Sequence, residues 1–343
     1  MKTLLNTLFV TSDDVYLSLD GENVVANQKK EIVARYPLHI LSGIITFSYS
    51  GASPALMGAC AKRNITLAFC SPQGRFLAQT VGENNGNVLL RRIQYRKADI
   101  DGECAKIAKN MIIGKVFNTR TSLERTKRDH SLRVNIPLLT DVSQQLQSFL
   151  SLIQESETTD ALRGLEGAAA QAYFKILDQL ILGDKKLFSF TGRNRRPPQD
   201  PVNALLSLSY SLLSFDCCAG LTSVGLDAYV GFLHKDKPGR ASLALDLMEE
   251  LRPCFADRFV LKLINNRIFH SKDFIVQESG AVLLTDDGRR AFFKHWQNRK
   301  KEIITHPYLK EKMPWGLIPY IQALLLARYL RGDIDEYPPF LWQ

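Results

Sequence analysis

Along roughly the first 80 residues, apolar and polar positions alternate with a period close to two, which predicts short β-strands. Residues 15–19 and 24–26 flank a tight turn at Gly21 and predict a β-hairpin. Ser53 followed by Pro54 is typical of the N-cap and first residue of a short helix. Further strands are predicted at residues 44–49, 65–70 and 76–81. This part of the chain therefore reads as a small β domain with one or two short helices.

A polar, glycine-bearing stretch at residues 82–87 marks the best domain boundary, and beyond it the period changes to 3.6. Helices are predicted at 87–97, 102–128, 137–154, 158–182, 200–218, 241–251, 254–268, 286–303 and 316–330. The predicted fold class is α+β. It consists of a β domain at residues 1–82, a linker at 83–86 and a larger all-α domain at 87–343, which suits a chain of 343 residues.

The excess of basic over acidic residues favours a polyanionic binding partner. Lys and Arg number 44 against 35 Asp and Glu, a net charge of +9. Residues 91–130 and 289–312 are enriched in basic side chains, although such runs are usually solvated helix faces. The loop arginines Arg193, Arg195 and Arg196 form a third cluster, whose planar guanidinium groups suit contacts with phosphate.

Cysteine usage and hydropathy bear on the compartment. The six cysteines include no C-x-x-C pair, which favours buried, reduced thiols over a zinc or redox site. No stretch reaches 18 uninterrupted apolar residues, so we expect no membrane span. The sequence therefore predicts a cytoplasmic protein.

The first candidate for chemistry is Glu166. Helical spacing places it in one row with Ala170, Tyr173 and Leu177, on a face that should be packed. A buried carboxylate needs a partner, which would be a buried arginine if Glu166 is structural and a metal ion if it is functional.

The second candidate is the segment that follows His234. Asp246 and Glu249 are three residues apart and so share one face of a helix, and a short Pro-Gly loop can fold His234 back onto that face. An imidazole with one or two carboxylates suits manganese or magnesium. The alternative is a loop histidine beside an ordinary solvated acidic face.

Three segments taken together resemble one family, the CRISPR-associated endonuclease that acts as the integrase of spacer acquisition, in its type I form. They are residues 166–174 (EGAAAQAYF), residues 195–210 (RRPPQDPVNALLSLSY) and residues 234–253 (HKDKPGRASLALDLMEELRP). Their order and spacing match over about 90 residues, and the β-then-helical division matches over the whole chain.

The resemblance implies a metal-dependent DNA endonuclease and integrase whose Mg²⁺ or Mn²⁺ is held by Glu166, His234 and Glu249, with Asp246 as a second-tier candidate. Arg240, within the third segment, joins Arg193, Arg195 and Arg196 as a candidate DNA contact. The implied partners are prespacer and CRISPR-repeat DNA, a second copy of the chain, and a small ferredoxin-like CRISPR adaptation subunit in a heterohexamer.

Physical chemistry agrees with this implication. Joining DNA by transesterification is nearly energy-neutral, so the lack of a phosphate-cradling glycine loop in the sequence is expected. Two other functions stay open. One is a DNA-binding scaffold without chemistry of its own, and the other is a metal-dependent nuclease outside spacer acquisition.

Overall fold

The structure is a computed structural model that describes residues 6–12, 14–29, 31–63, 65–71, 76–80 and 88–342. Contacts between residues divide the chain into two compact units. Unit 1 comprises Met1–Asn85, Leu284–Glu302 and Pro314–Leu317, and unit 2 comprises Gly86–Leu283, Ile303–Met313 and Ile318–Gln343. The predicted mixed class, β-rich first and helical afterwards, is confirmed. The predicted linker at 83–86 lies outside the described residues.

Unit 1 contains two sheets. The strands are β1 (Asn6–Val10), β2 (Val15–Asp20), β3 (Asn23–Gln28), β4 (Glu31–Pro37), β5 (Leu41–Thr46), β6 (Thr66–Cys70) and β7 (Phe76–Gln79). One sheet has the order β1-β5-β6-β7, with β1, β5 and β6 parallel and β7 antiparallel. The other is the antiparallel meander β2-β3-β4. Apolar side chains of both sheets, including Leu17, Val24 and Ile44, form one core.

Local sequence explains these elements. The predicted hairpin forms between β2 and β3, and Gly21 in its turn has the positive φ of +56° that glycine tolerates. Helix α1 (Pro54–Lys62) starts as predicted, with the Ser53 hydroxyl accepting from the Leu56 amide. Strand β4 was missed because its side chains are exposed on both faces, so its residues do not alternate in polarity.

The predicted division at residue 82 is incomplete, because helix α9 (Asp286–Lys301) groups with unit 1. Phe293 on this helix stacks on Phe9, with ring centroids 4.4 Å apart, and on Phe47, at 4.9 Å. Such stacking between distant parts of the chain is a tertiary contact, which local periodicity does not reveal.

Unit 2 is built mainly from helices. They are α2 (Val88–Ala98), α3 (Asp101–Asp129), α4 (Ile136–Glu155), α5 (Thr159–Ile176), α6 (Pro201–Ser223), α7 (Ser242–Glu249), α8 (Arg258–Asn265) and α10 (Ile318–Arg331). Each lies close to a predicted segment, because their apolar positions recur at helical spacing.

The structure adds two features to the helical second domain that the sequence predicted. Short strands pair as β8 (Phe274–Val276) with β9 (Val282–Leu284), and as β10 (Ile303–Thr305) with β11 (Lys312–Pro314). The predicted helix at 254–268 is α-helical only over Arg258–Asn265, because its first residues belong to a π-helical turn at Arg252–Asp257. Pro253 has no amide proton to donate, which favours a departure from the α pattern there.

Helix α6 is long and apolar enough to cross a membrane by length and composition. However, 56% of its most apolar window is buried inside the structure, and it packs against α7 and α10. This is the behaviour of a core helix.

Helix α3 runs through the centre of unit 2 and packs against α4, α5 and α7. Gly114, in the middle of α3, permits this approach, because a Cβ there would lie 2.8 Å from the Glu250 Cβ. The next residue of α3, Lys115, is thereby brought beside the end of α7.

Candidate metal centre

Two of the predicted acidic ligands converge on one cation. The Lys115 ammonium on α3 forms an ion pair with Glu166 on α5 and lies 2.7 Å from Glu249 Oε2 at the end of α7. Glu249 and Lys115 are buried, and the Glu166 side chain is 26% exposed. The structural alternative for Glu166, a buried cationic partner, therefore holds in this structure, with a lysine in place of the expected arginine.

Arg252 completes the charge balance around Glu249. Its guanidinium lies 3.0 Å from Glu249 Oε1, so each carboxylate oxygen of Glu249 faces a cation. Burial alone would raise the pKa of Glu249, but the positive charges of Arg252 and Lys115 outweigh burial and lower it to about 2. Glu249 is thus a carboxylate at every physiological pH.

His234 is held by Asp246. The Asp246 carboxylate is fully buried on α7 and accepts from the backbone amides of Phe232, Leu233 and His234 at 2.6–3.0 Å. His234 Nδ1 lies 2.6 Å from Asp246 Oδ1. Gly231 leaves room for this carboxylate, since a Cβ there would lie 2.8 Å from Asp246 Oδ2.

The contacts of Asp246 differ from those of Glu166 and Glu249. Its oxygens are occupied by the His234 loop, whereas the ion pairs of Lys115 run to Glu166 and Glu249. A carboxylate on Nδ1 fixes the ring orientation and leaves Nε2 as the nitrogen that can bind a metal. Arg163, one turn before Glu166 on α5, donates to the Leu233 carbonyl at 2.8 Å and ties the loop to that helix.

The structure brings Glu166 and Glu249 together, while His234 pairs with Asp246. Within the described residues, no three or more His, Cys, Asp and Glu side chains are close enough together to hold a metal ion. The donor set nevertheless fits Mg²⁺ or Mn²⁺, because two carboxylates already converge on one cation and an imidazole nitrogen is oriented by a carboxylate. The assignment of Glu166, His234 and Glu249 as ligands stays a prediction.

Sequence reasoning did not find Lys115 and Arg252. The available signal was a single lysine inside an apolar run at residues 111–117 (MIIGKVF), since a lysine is almost never buried without a partner. Arg252 lies inside the third quoted segment and could have been read as the partner of Glu249 three residues earlier.

A second buried cluster lies beside this centre. The Tyr210 hydroxyl on α6 donates to Asp257 Oδ1 at 2.5 Å, and the Arg252 guanidinium lies 5.0 Å from the Tyr210 ring centroid. Arg252 and Asp257 are the first and last residues of the π-helical turn, and both contact Tyr210. A small cavity between the two clusters is lined by Lys115, Tyr173, Tyr210 and Asp257.

The four candidate DNA-contacting arginines differ in environment. Arg195 and Arg196 are exposed. Arg193 is partly buried and donates to Asn203 Oδ1 at 2.6 Å and to Ser207 Oγ at 3.1 Å. Arg240 donates to the Ser242 hydroxyl at 3.3 Å. The guanidinium of Arg193 therefore makes hydrogen bonds within the fold, whereas the side chains of Arg195 and Arg196 are exposed to solvent.

The chain is similar over its whole length to proteins named as CRISPR-associated endonucleases. A family model described as CRISPR associated protein Cas1 matches residues 8–298. The CRISPR-associated endonuclease Cas1 1 of Chlorobaculum tepidum is 47% identical over 343 residues, covering 100% of both chains. The CRISPR-associated endonuclease Cas1 2 of Rhodospirillum rubrum is 47% identical over 347 residues, again covering 100% of each. The chain belongs to the Cas1 family.

Solved structures agree on the fold. A casposase bound to integration product has a TM-score of 0.84 at 24% identity, covering 98% of this chain and 93% of that one. A Cas1 protein from Thermotoga maritima has a TM-score of 0.81 at 21% identity, covering 95% and 97%. A chain of a Cas6-RT-Cas1–Cas2 complex has a TM-score of 0.82 at 23% identity, covering 99% of this chain and 36% of its own. The resemblance predicted from the three sequence segments is confirmed.

Proposed function

We propose that this chain is a metal-dependent DNA endonuclease and integrase that inserts DNA segments as new spacers into a CRISPR array. The observation that carries the proposal is the convergence of Glu166 and Glu249 on one cation, in a chain whose relatives are named endonucleases. A scaffold that only binds DNA would not need two acids at one point, because they neutralise cations that could otherwise contact the phosphate backbone.

Glu166, Glu249 and His234 Nε2 would hold Mg²⁺ or Mn²⁺, with Asp246 orienting the imidazole. When bound, the ion supplies Lewis-acid polarisation of a phosphoryl oxygen. Arg252 keeps Glu249 ionised and adds positive charge where a phosphate would gain negative charge. These residues therefore provide charge stabilisation at one point, and the DNA must be held in line by contacts outside it.

In the joining reaction, a 3′ hydroxyl forms a new phosphorus–oxygen bond to a phosphodiester of the target strand. The bond to the original 3′ oxygen breaks, and that oxygen leaves as a hydroxyl after gaining a proton. One phosphodiester replaces another, so no nucleotide hydrolysis is required. With water as the nucleophile, the same site produces a nick, which is the endonuclease reaction.

The partners follow from the same proposal. The chain would act on prespacer DNA and the CRISPR repeat in the cytoplasm, with its net charge of +9 favouring DNA binding. A structure of similar fold is a Cas6-RT-Cas1–Cas2 complex, and Cas2 matches the small ferredoxin-like subunit expected here. We propose that a dimer of this chain assembles with such a subunit into a heterohexamer.

The proposed function is tested by incubating the purified chain with Mn²⁺ and DNA. The DNA consists of a short duplex with free 3′ hydroxyls and a plasmid that contains the repeat. The proposal predicts that the duplex is joined to the plasmid. Joining should occur both with and without the added adaptation subunit, and its rate should differ between the two reactions. Degradation of the duplex without joining would support a nuclease outside spacer acquisition. DNA binding with neither product would support the scaffold.

We expect replacement of both Arg195 and Arg196 by Ala to weaken DNA binding about equally for all sequences. Each lost phosphate contact should reduce the slope of log affinity against log salt by about one unit. Fluorescence anisotropy over a range of salt concentrations measures this slope. Arg193→Ala is the comparison variant, and we expect it to lower the Tm because it removes the hydrogen bonds that Arg193 donates to Asn203 and Ser207. An unchanged slope in the double variant would assign the exposed pair to solvent.

We propose that residues 1–82 form the homodimer interface and that β4 is its centre. This strand lies at the edge of the β2-β3-β4 sheet, and its Ile32 and Val33 side chains are 58% and 54% exposed. Val33→Glu should raise the dimer dissociation constant by at least roughly 100-fold, because a charge would be buried. Sedimentation equilibrium measures it, with Val276→Glu, exposed on β8, as the matched control. A Val33→Glu protein that stays a tight dimer would place the interface elsewhere.

A further inference from the structure

Lys115 is a buried lysine that forms ion pairs with two carboxylates. It is buried on α3, and its ammonium lies between carboxylates that belong to two other helices, Glu166 on α5 and Glu249 on α7. Burial would lower the pKa of Lys115, but the Glu249 and Glu166 carboxylates hold it above its usual value. The lysine is therefore a permanent cation at the point where the two acids meet.

The formal charges of this group cancel. Glu166 and Glu249 contribute two negative charges, and Lys115 and Arg252 contribute two positive charges. A divalent cation at the same carboxylate oxygens would face an ammonium within a few ångströms, and like charges at that distance in a protein interior repel strongly. Lys115 and a bound divalent cation therefore exclude each other from these oxygens.

We infer that Lys115 is a displaceable counter-ion. Its ammonium pairs with Glu166 and Glu249, and it moves into the adjoining cavity when a divalent cation binds at these two carboxylates. The inference rests on the proposed metal site and adds a residue that sets its affinity. Lys115 is a positioning residue in this account, since it acts through the two carboxylates.

The cavity beside Lys115 suits the displaced ammonium. It has about 20 Å³ of free volume, enough for one water-sized group, and is lined by Tyr173, Tyr210 and Asp257. Asp257 is buried and accepts from the Tyr210 hydroxyl, and burial raises its pKa to about 6. An ammonium that moves into this cavity would gain a carboxylate and two hydroxyl groups as partners.

Binding of Mn²⁺ measured by calorimetry, without DNA, tests the inference. Lys115→Gln should bind Mn²⁺ at least roughly tenfold more tightly than the unmodified chain, because no ammonium has to be displaced. In EDTA its Tm should be several degrees lower, since Glu249 then keeps Arg252 alone of its two cations and Glu166 loses the Lys115 ammonium. Mn²⁺ should restore the Tm. Lys106→Gln, on the exposed face of α3, is the matched control and should change neither quantity.

Lys115→Arg tests the same idea in the opposite direction. The guanidinium keeps the charge between the carboxylates but is too large for a cavity of one water, so Mn²⁺ affinity should fall below that of the unmodified chain. Asp257→Asn as a single substitution should also weaken Mn²⁺ binding. When it is combined with Lys115→Gln, it should leave the Mn²⁺ affinity of the Lys115→Gln variant unchanged. Affinity that is unchanged or weaker in Lys115→Gln would overturn the inference.

Failure of the inference can be told apart from failure of the metal site. Glu249→Gln, measured in the same way, should lose Mn²⁺ binding if the site is assigned correctly. If Glu249→Gln binds Mn²⁺ as well as the unmodified chain, the proposed metal site is wrong. If it loses binding while the Lys115 variants bind as the unmodified chain does, the site is correct and the counter-ion role is wrong.

Discussion

Glu166→Gln, Glu249→Gln and His234→Ala are each expected to reduce Mn²⁺-dependent cleavage and joining by roughly 10³-fold or more. This corresponds to about 4 kcal/mol of transition-state stabilisation. Each substitution removes one of three protein donors, and the remaining pair cannot compete with water for a hard cation. Gel assays of nicking and joining on the same substrates measure the loss.

The chain should stay folded in all three variants, because Lys115 keeps at least one carboxylate partner in each of them. In Glu249→Gln, the amide oxygen of the introduced side chain can still accept a hydrogen bond from Arg252. Circular dichroism and Tm check this. Glu155→Gln, an exposed acid at the end of α4, is the matched control and should behave as the unmodified chain. Full activity in any of the three variants would remove that residue from the site.

Much of the fold was predictable because its signals are local. The helices of unit 2 carry apolar residues at helical spacing, and caps such as Ser53 for α1 and Asp200 for α6 mark where helices begin. Strand β4 and the placement of helix α9 were not predictable. The first lacks a buried face, and the second depends on Phe293 stacking against residues more than 200 positions earlier.

The candidate site likewise contains residues that the sequence predicted and contacts that it did not predict. Residue spacing singled out Glu166, His234 and Glu249 as candidates, and the family resemblance implied that they are the metal ligands. The pairing of Lys115 with Glu166 joins residues 51 positions apart and has no local signature. The acidic face carrying Asp246 and Glu249 was visible as a three-residue spacing. Which of the two acids faces inward to the His234 loop depends on backbone amides that the sequence does not position.

Asp246→Asn should have an effect almost as large as the loss of a metal ligand, through His234. In the protein, Asp246 accepts from three backbone amides and from His234 Nδ1. An asparagine has one acceptor oxygen and one donor group, so one backbone amide is left facing a donor. A buried donor without an acceptor costs about 1–3 kcal/mol, and we expect a Tm several degrees lower.

The more specific consequence concerns the imidazole tautomer. An amide group that donates to Nδ1 would place the ring proton on Nε2, the nitrogen proposed to bind the metal. Mn²⁺ affinity should fall by roughly 10–100-fold, the range typical for loss of a group that orients a metal-binding histidine. Nitrogen-15 NMR of labelled histidine should report the proton moving from Nδ1 to Nε2, a change that simple destabilisation would not produce.

Asp236→Asn, an exposed acid two residues after His234, is the matched control for Asp246→Asn. It should leave the Tm, the tautomer and Mn²⁺ affinity unchanged. If Asp246→Asn loses stability but keeps the proton on Nδ1 and its Mn²⁺ affinity, Asp246 only supports the fold of the loop. If it keeps all three properties, the hydrogen bonds to Asp246 do not hold His234 in solution, and the imidazole must be oriented by other contacts.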